Sequence, residues 1–452
     1  MYSKTVAAAL AAAILSPVVA GAQDTDIESL REQVRQLEKR LDRAEQQRTE
    51  AQVPAEISTA APRSAMLNDN RFNPAISLIV DGKYRNLQRD PGDYRIGGFV
   101  PGGEETGPGE RGFGINESEL TLSANIDPYF SGYFIAAISG DNEVSVEEGY
   151  VQNSGFVPGL NIKVGRFLSG FGYQNEQHAH SWDFVDLPLA HQAFFGGQLG
   201  DDGLQLRWVA PAPLFIELGA ETGSGKSFPG NDRAKNGING GTAYVHIGDD
   251  LGFSHSYRVG LSYSQSRAAE RLYDDTDAIG TPVSNAFSGS SKVWGLDFVW
   301  KWAPDGDTKQ RNFKLQAEYF QRRESGSLRF DTADATGAGT PSDAYSSKQS
   351  GWYAQAVYQF MPRWRTGLRY DQLDSGAARV GLVDAATLSA ADFPVLAAHD
   401  PKRVSLMLDF SPSEFSRLRL QYARDQARFT QTDNQVFLQY VMSLGAHGAH
   451  KF

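Results

Sequence analysis

Trp294-Gly295-Leu296-Asp297-Phe298-Val299-Trp300-Lys301-Trp302 carries Trp, Leu, Phe, Trp and Trp at its even positions and Gly, Asp, Val and Lys at its odd ones. Successive side chains of a strand point to opposite faces, so the five large apolar groups share one side. Trp294 and Trp302 lie on that side eight residues apart. At ~3.3 Å per residue and ~40° of tilt they are separated by roughly 20 Å along a membrane normal, near the height of a lipid-facing band with an aromatic girdle at each edge. A soluble sandwich gives the same alternation but no reason for that spacing. The segment reads as one strand of a transmembrane barrel.

The same period of two recurs outward from it. In Glu119 to Ile126, Leu120, Leu122, Ala124 and Ile126 oppose Glu119, Thr121, Ser123 and Asn125; in Ile76 to Tyr84, even apolar positions oppose Asp81 and Lys83. The chain closes on Gln435-Val436-Phe437-Leu438-Gln439-Tyr440-Val441-Met442-Ser443-Leu444 and ends at Phe452, an expected recognition strand for the barrel-assembly machinery. Brief turns are expected at Asp127-Pro128, Ala210 to Pro213, Gly248 to Asp250, Pro304 to Asp307, Met361-Pro362 and Ser411-Pro412. Long polar connections are expected near 86–111, 168–202, 222–240, 267–291, 324–350 and 373–400. Outer-membrane barrels alternate in this way between periplasmic turns and external loops. With shorter links near 140–143, 154–159 and 425–432, the count is about sixteen strands, enough for a water-filled channel. The fold class is therefore all-β, a transmembrane antiparallel β-barrel over 73–452 that contacts outer-membrane lipid.

The N-terminus agrees with that compartment. Lys4 precedes an apolar run from Thr5 to Val19, and Ala20-Gly21-Ala22 is a small-x-small cleavage signal, so 1–22 reads as a secretory signal peptide. No later run of ~18 apolar residues could cross a bilayer as a helix, which leaves a closed barrel as the spanning structure. The apolar residues Ile27, Leu30, Val34, Leu37, Leu41 and Ala44 then follow gaps of three and four. This a/d seam over 23–48 is expected either as a periplasmic coiled-coil helix or as a single amphipathic helix lying on its own barrel. Residues 49–72, rich in Ala, Pro, Ser and Thr, read as a flexible linker.

The 452 residues include 46 Gly, 26 Phe, 18 Tyr, 7 Trp and no Cys, and the formal net charge is −11. Aromatic-rich, Gly-rich and polar composition suits a barrel with a wet interior. The missing Cys excludes disulfides, thiolate metal sites and a lipid-modified Cys anchor. The acidic balance gives no support to nucleic-acid binding.

Val164-Gly165-Arg166-Phe167-Leu168-Ser169-Gly170-Phe171-Gly172 resembles the start of the third loop in the phosphate-selective porin O/P family. The resemblance extends through Asp202-Gly203-Leu204-Gln205-Leu206 and loosely over the whole barrel with its preceding heptads. It implies a sixteen-stranded barrel, usually a homotrimer, with the third loop folded into the lumen as a constriction. The family's anion channels use lumen arginines and constriction lysines, whereas 168–202 here contains neither Lys nor Arg. The constriction residues expected instead are His178, His180, Asp183, Asp186 and His191.

Alternate residues of an extended segment share a side, so His178 and His180 with a nearby carboxylate could hold Zn²⁺ transiently; equally, they could be polar loop residues satisfied by neighbours. No other cofactor is expected. Ser181, His180 and Asp183 include the residue types of a hydrolase triad, but neighbours on one extended segment point apart. Gly223-Ser224-Gly225-Lys226-Ser227 resembles a phosphate loop, yet Ala220 and Phe228-Pro229 break the pattern and the helix it needs. Arg207, Lys314, Arg322, Arg365, Arg369, Arg403, Arg417 and Arg419 fall opposite apolar positions and are expected on the lumen wall. They read either as an anion ladder or as ion-paired wall residues, with Glu119, Glu217, Asp371 and Asp409 as partners. The expected function is passive diffusion of small hydrophilic solutes or ions, without a chemical step. The alternatives are an uptake channel or receptor for a metal ion such as zinc, and an outer-membrane enzyme.

Overall fold

A computed structural model describes residues 74–103, 106–140, 143–231 and 237–445. The signal peptide, the heptad segment, the linker, His447, His450 and Phe452 lie outside the described residues.

One antiparallel sheet of eighteen segments closes on itself. Closure joins β1 (Ala75–Leu87) to β18 (Asp433–Gly445), in register from Ser77 opposite Gly445 to Leu87 opposite Gln435. Two segments are short: β2 (Gly112–Ile115), which lies beside β1 just before β3 (Ser118–Asn125), and β15 (Arg379–Val380). The other sixteen form the wall. Closure removes every free edge, so the backbone bonds are satisfied within the sheet, as a lipid environment requires.

The alternation read from the sequence holds in three dimensions. In β11 (Pro282–Trp302), Val293, Asp297 and Val299 are buried while Trp294, Leu296 and Phe298 are exposed. The outer band continues through Leu261, Leu406, Leu420 and Leu438, all exposed. Aromatic rings gather along its two edges. Tyr263 meets Trp294 at 4.6 Å and Trp352 meets Tyr370 at 5.4 Å on one edge. On the other, Trp300 meets Phe313 at 5.6 Å and Trp364 meets Phe410 at 4.7 Å. A continuous apolar belt bounded by aromatic girdles is stable only against lipid, so this is an outer-membrane β-barrel.

Several expected connections need correction, Ser411-Pro412 among them, which lies within the strand Lys402–Ser413. The regions 267–291 and 324–350 are mostly strand: β10 (His255–Thr276) reaches β11 through 277–281, and β12 (Asn312–Arg329) reaches β13 (Ser342–Met361) through 330–341. Their inward side chains Tyr273, Phe287, Leu328 and Tyr345 pack against Leu382, Phe393 and Leu396 of the connection after β14 (Trp364–Asp374). That internal packing extends the hairpins despite their polar composition. Gly248 to Asp250 likewise belongs to β9 (Gly240–Leu251), and the turn falls later, where Gly252 takes φ +68°.

The interior is also less uniformly wet than composition implied. Ile96 and Phe99 from the connection after β1 pack with Leu189, Phe194 and Phe195, and with Phe320 and Leu373 of the wall, in one buried cluster.

Candidate functional site

The connection between β6 (Leu160–Leu168) and β7 (Gly200–Val209) holds nearly all of the candidate chemistry, and its base is stapled. Ser169 N donates to Leu199 O at 2.8 Å. The buried Asn175 amide donates to Ser169 O and Leu199 O at 2.8 Å each, and its carbonyl accepts from Leu199 N at 2.6 Å. Beyond this neck, Gly172 takes φ +72°, and a Cβ there would lie 2.4 Å from Glu318 Oε1. Only glycine lets the chain come this close to the wall. Tyr173 N then donates to Glu318 Oε1 at 2.5 Å.

The far arm contains the short helix α1 (Leu189–Phe195), ended by Gly196 in the left-handed conformation. Leu189 N donates to Asp371 Oδ1 at 2.9 Å, and the Arg322 guanidinium donates to Ala193 O at 3.1 Å, so each helix end meets the charge its dipole favours. His191 is fully buried, 2.8 Å from Glu318 Oε2, which also accepts from Tyr353 Oη at 2.7 Å. It is a packing residue between the segment and β12/β13, and it does not share a site with the other two histidines.

Asp183 and Asp186 are taken up by wall cations. Asp183 pairs with Lys314 and, at 3.1 Å, with Arg365; Asp186 pairs with Arg369 at 2.9 Å and Arg403 at 2.7 Å. The arginine positions read from the sequence do face inward. Arg365 and Arg419 share Asp409, Arg369 and Arg403 share Asp371, and Arg207 meets Glu176 and, at 3.7 Å, Glu217. Arg417 donates to His180 O at 2.5 Å, and Arg419 to Trp182 O at 2.9 Å. Glu119, expected as an arginine partner, instead accepts from the histidines. The sequence reading missed the loop carboxylates as the partners, because partners across the lumen leave no local pattern.

His178 and His180 are brought together, with parallel rings 5.9 Å apart. Their carboxylates come from the wall and not from their own segment. His178 Nδ1 lies 3.1 Å from Glu147 Oε1 and 3.7 Å from Glu119 Oε2, and its Nε2 lies 3.2 Å from Glu148 Oε2. His180 Nδ1 lies 2.8 Å from Glu119 Oε1. Glu147 and Glu148 are adjacent in β5 (Val144–Ser154), where alternation should send them to opposite faces. A bulge against β4 (Phe130–Ile138) breaks the register, pairing Ile135 with Glu148 and Ala136 with Val146, and lets both reach one imidazole.

The triad residue types do not assemble: Ser181 Oγ donates to His178 O at 2.8 Å, His180 meets Glu119, and Asp183 meets Lys314. The glycine-rich loop after β8 (Phe215–Gly223) is likewise occupied internally, with Gly225 N donating to Asp201 at 2.6 Å and Lys226 to Asp202 at 2.5 Å.

No family model matches the chain. Among solved structures, the outer membrane channel DcaP of Acinetobacter baumannii is 11% identical with TM-score 0.49, over 82% of this chain and 97% of that one. Pseudomonas putida OprB is 15% identical with TM-score 0.46, over 84% and 96%. Salmonella typhi OmpF is 12% identical with TM-score 0.44, over 83% and 99%. In sequence, an uncharacterized protein of Aquifex aeolicus (strain VF5) is 32% identical over 414 residues, spanning 84% of this chain and 80% of the relative. At that identity and coverage, the chain belongs to one family with the Aquifex aeolicus protein.

Proposed function

We propose that the protein is a porin-type channel, through which small hydrophilic solutes or ions diffuse passively past a lumen narrowed by residues 169–199. The observation that carries this reading is the reach of that segment around the wall. It meets Glu148 on β5 through His178, Lys314 on β12 through Asp183, and Lys83 on β1, whose Nζ donates to Val185 O at 2.7 Å. A chain tethered at three separated sectors of a cylinder crosses its interior.

Wall charge argues for cations over anions. Arg365, Arg369, Arg403 and Arg419 each meet a carboxylate, and Arg322 and Arg417 are taken up by Gln349 and by the Ala193 and His180 carbonyls. Along β3, β5 and β8, Glu221 accepts only from Ser169, Gly170 and Gln205, and Glu119, Glu147 and Glu148 form ion pairs only with histidine among the described residues. This reading therefore leaves out the phosphate selectivity of the O/P porins and keeps only an inward-folded third loop. The reading includes no chemical step.

A homotrimer fits the outer surface. Arg166 and Asp202 pair at 2.7 Å, both about one-third exposed, beside a groove formed by Leu122, Gly132, Phe134, Gly149 and Val164. An ion pair facing lipid is costly, and a second copy of the chain seated there would shelter it.

Recording in planar bilayers across a salt gradient tests the function. Steady conductance without added ligand and a cation-side reversal potential are expected. A protein that is folded but electrically silent would end the channel reading.

A further inference from the structure

We propose that Glu119, Glu147 and His178 bind a divalent transition-metal ion of the zinc class, between the inward segment and the wall strands β3 and β5. The site goes beyond the channel reading and does not depend on it.

The geometry is that of a ligand set gathered before the ion arrives. One ligand atom from each of the three residues lies within 4.8 Å of the others, and His178 Nδ1 is 3.1 Å from Glu147 Oε1 and 3.7 Å from Glu119 Oε2. Bonds of ~2.0–2.1 Å in a tetrahedral site place ligand atoms roughly 3.3 Å apart, so a small closure suffices. One imidazole and two carboxylates supply three of the four ligands of a tetrahedral site, the fourth being left to solvent.

The surrounding contacts orient those ligands. With Nδ1 turned to the ion, His178 Nε2–H donates to Glu148 Oε2 at 3.2 Å, and Glu148 Oε1 is fixed by Leu168 N at 2.9 Å. A carboxylate behind a ligating histidine fixes its tautomer and raises its basicity. His180 holds the second oxygen of Glu119 at 2.8 Å and aims the first at the site.

Two observations point to a cation held at this place. Glu147 Oε2 is shut away from solvent with no hydrogen-bond partner. The bulge also brings Glu147 and Glu148 together onto one imidazole, although their ion pairs include no Lys or Arg among the described residues. Zinc accepts nitrogen and carboxylate ligands together, whereas the imidazole disfavours calcium or magnesium.

The test uses full-length mature protein refolded in detergent, titrated with Zn²⁺ by calorimetry and with Co²⁺ by visible absorption. About one tight equivalent per chain is expected, with a cobalt d–d band that zinc abolishes. Glu147→Gln and His178→Ala should each weaken binding by at least a hundredfold, and Glu148→Gln and His180→Gln by roughly 10- to 100-fold. Heat-modifiable electrophoretic mobility reports whether each variant is folded. Absence of binding to the wild-type protein overturns the site whatever the variants do. So does undiminished binding by either variant, Glu147→Gln or His178→Ala, that is shown to be folded. Failure here leaves bilayer conductance untouched, so it is separable from failure of the channel reading.

Discussion

Asp183 lies 3.1 Å from the Arg365 guanidinium, and this pair ties the inward segment to β14 across 182 residues of sequence. The carboxylate is 5% exposed and also meets Lys314. One loop residue thus meets two wall cations, and shares one of them, Arg365, with Asp409.

Replacing it tests the tether. Asp183→Asn leaves Lys314 without a carboxylate while Arg365 keeps Asp409, and a loss of about 3 kcal/mol is expected from the general cost of breaking a buried pair. Urea unfolding in lipid, followed by tryptophan fluorescence, measures it. Unchanged stability with unchanged channel noise would mean that the segment is held elsewhere.

The neck makes a different prediction. Asn175→Ala removes three hydrogen bonds that close the base of the segment and leaves buried backbone groups unpaired, at about 1–3 kcal/mol. Because 168–202 has no Lys or Arg, trypsin cannot report its release. Chymotrypsin can, with new cleavage expected between Phe171 and Phe195 while the wall stays intact.

The apolar cluster in the lumen predicts an opening. Phe194 is fully buried among Phe99 and Phe320, with edge contacts at 5.7 and 6.1 Å. Phe194→Ala is expected to cost about 3–5 kcal/mol and to raise single-channel conductance. A stable variant with unaltered conductance would place the permeation path away from α1.

The lipid face is tested at Phe298, midway between Trp294 and Trp302 and pointing outward. Phe298→Arg should destabilise the barrel by about 2–4 kcal/mol, as a charge near the bilayer midplane does. Its neighbour Asp297 faces inward and pairs with Arg258 at 2.9 Å, so Asp297→Asn should leave the lipid face undisturbed. Equal effects of the two on partitioning into vesicles would contradict the assigned faces.

The side-chain period of two carries most of the fold in one dimension. It placed Leu120 and Leu122 outward, Asp81 and Lys83 inward, and the arginines of the later strands on the lumen side, because a strand leaves its residues no third direction. Turn residues set the strand count for the same local reason. The lengths of β10 to β13 escaped this reading, since Tyr273 and Phe287 are held in strand by Leu382 and Phe393, about a hundred residues away. The partners of the histidine pair escaped it too. His178 and His180 were visible as alternate residues, but Glu119 lies 61 residues from His180, and Glu147 and Glu148 lie 31 and 30 from His178. A regular strand would have sent Glu147 and Glu148 to opposite faces. Whether a bulge forms depends on how β4 and β5 register against each other, and that is a property of the closed sheet and not of either strand's residues.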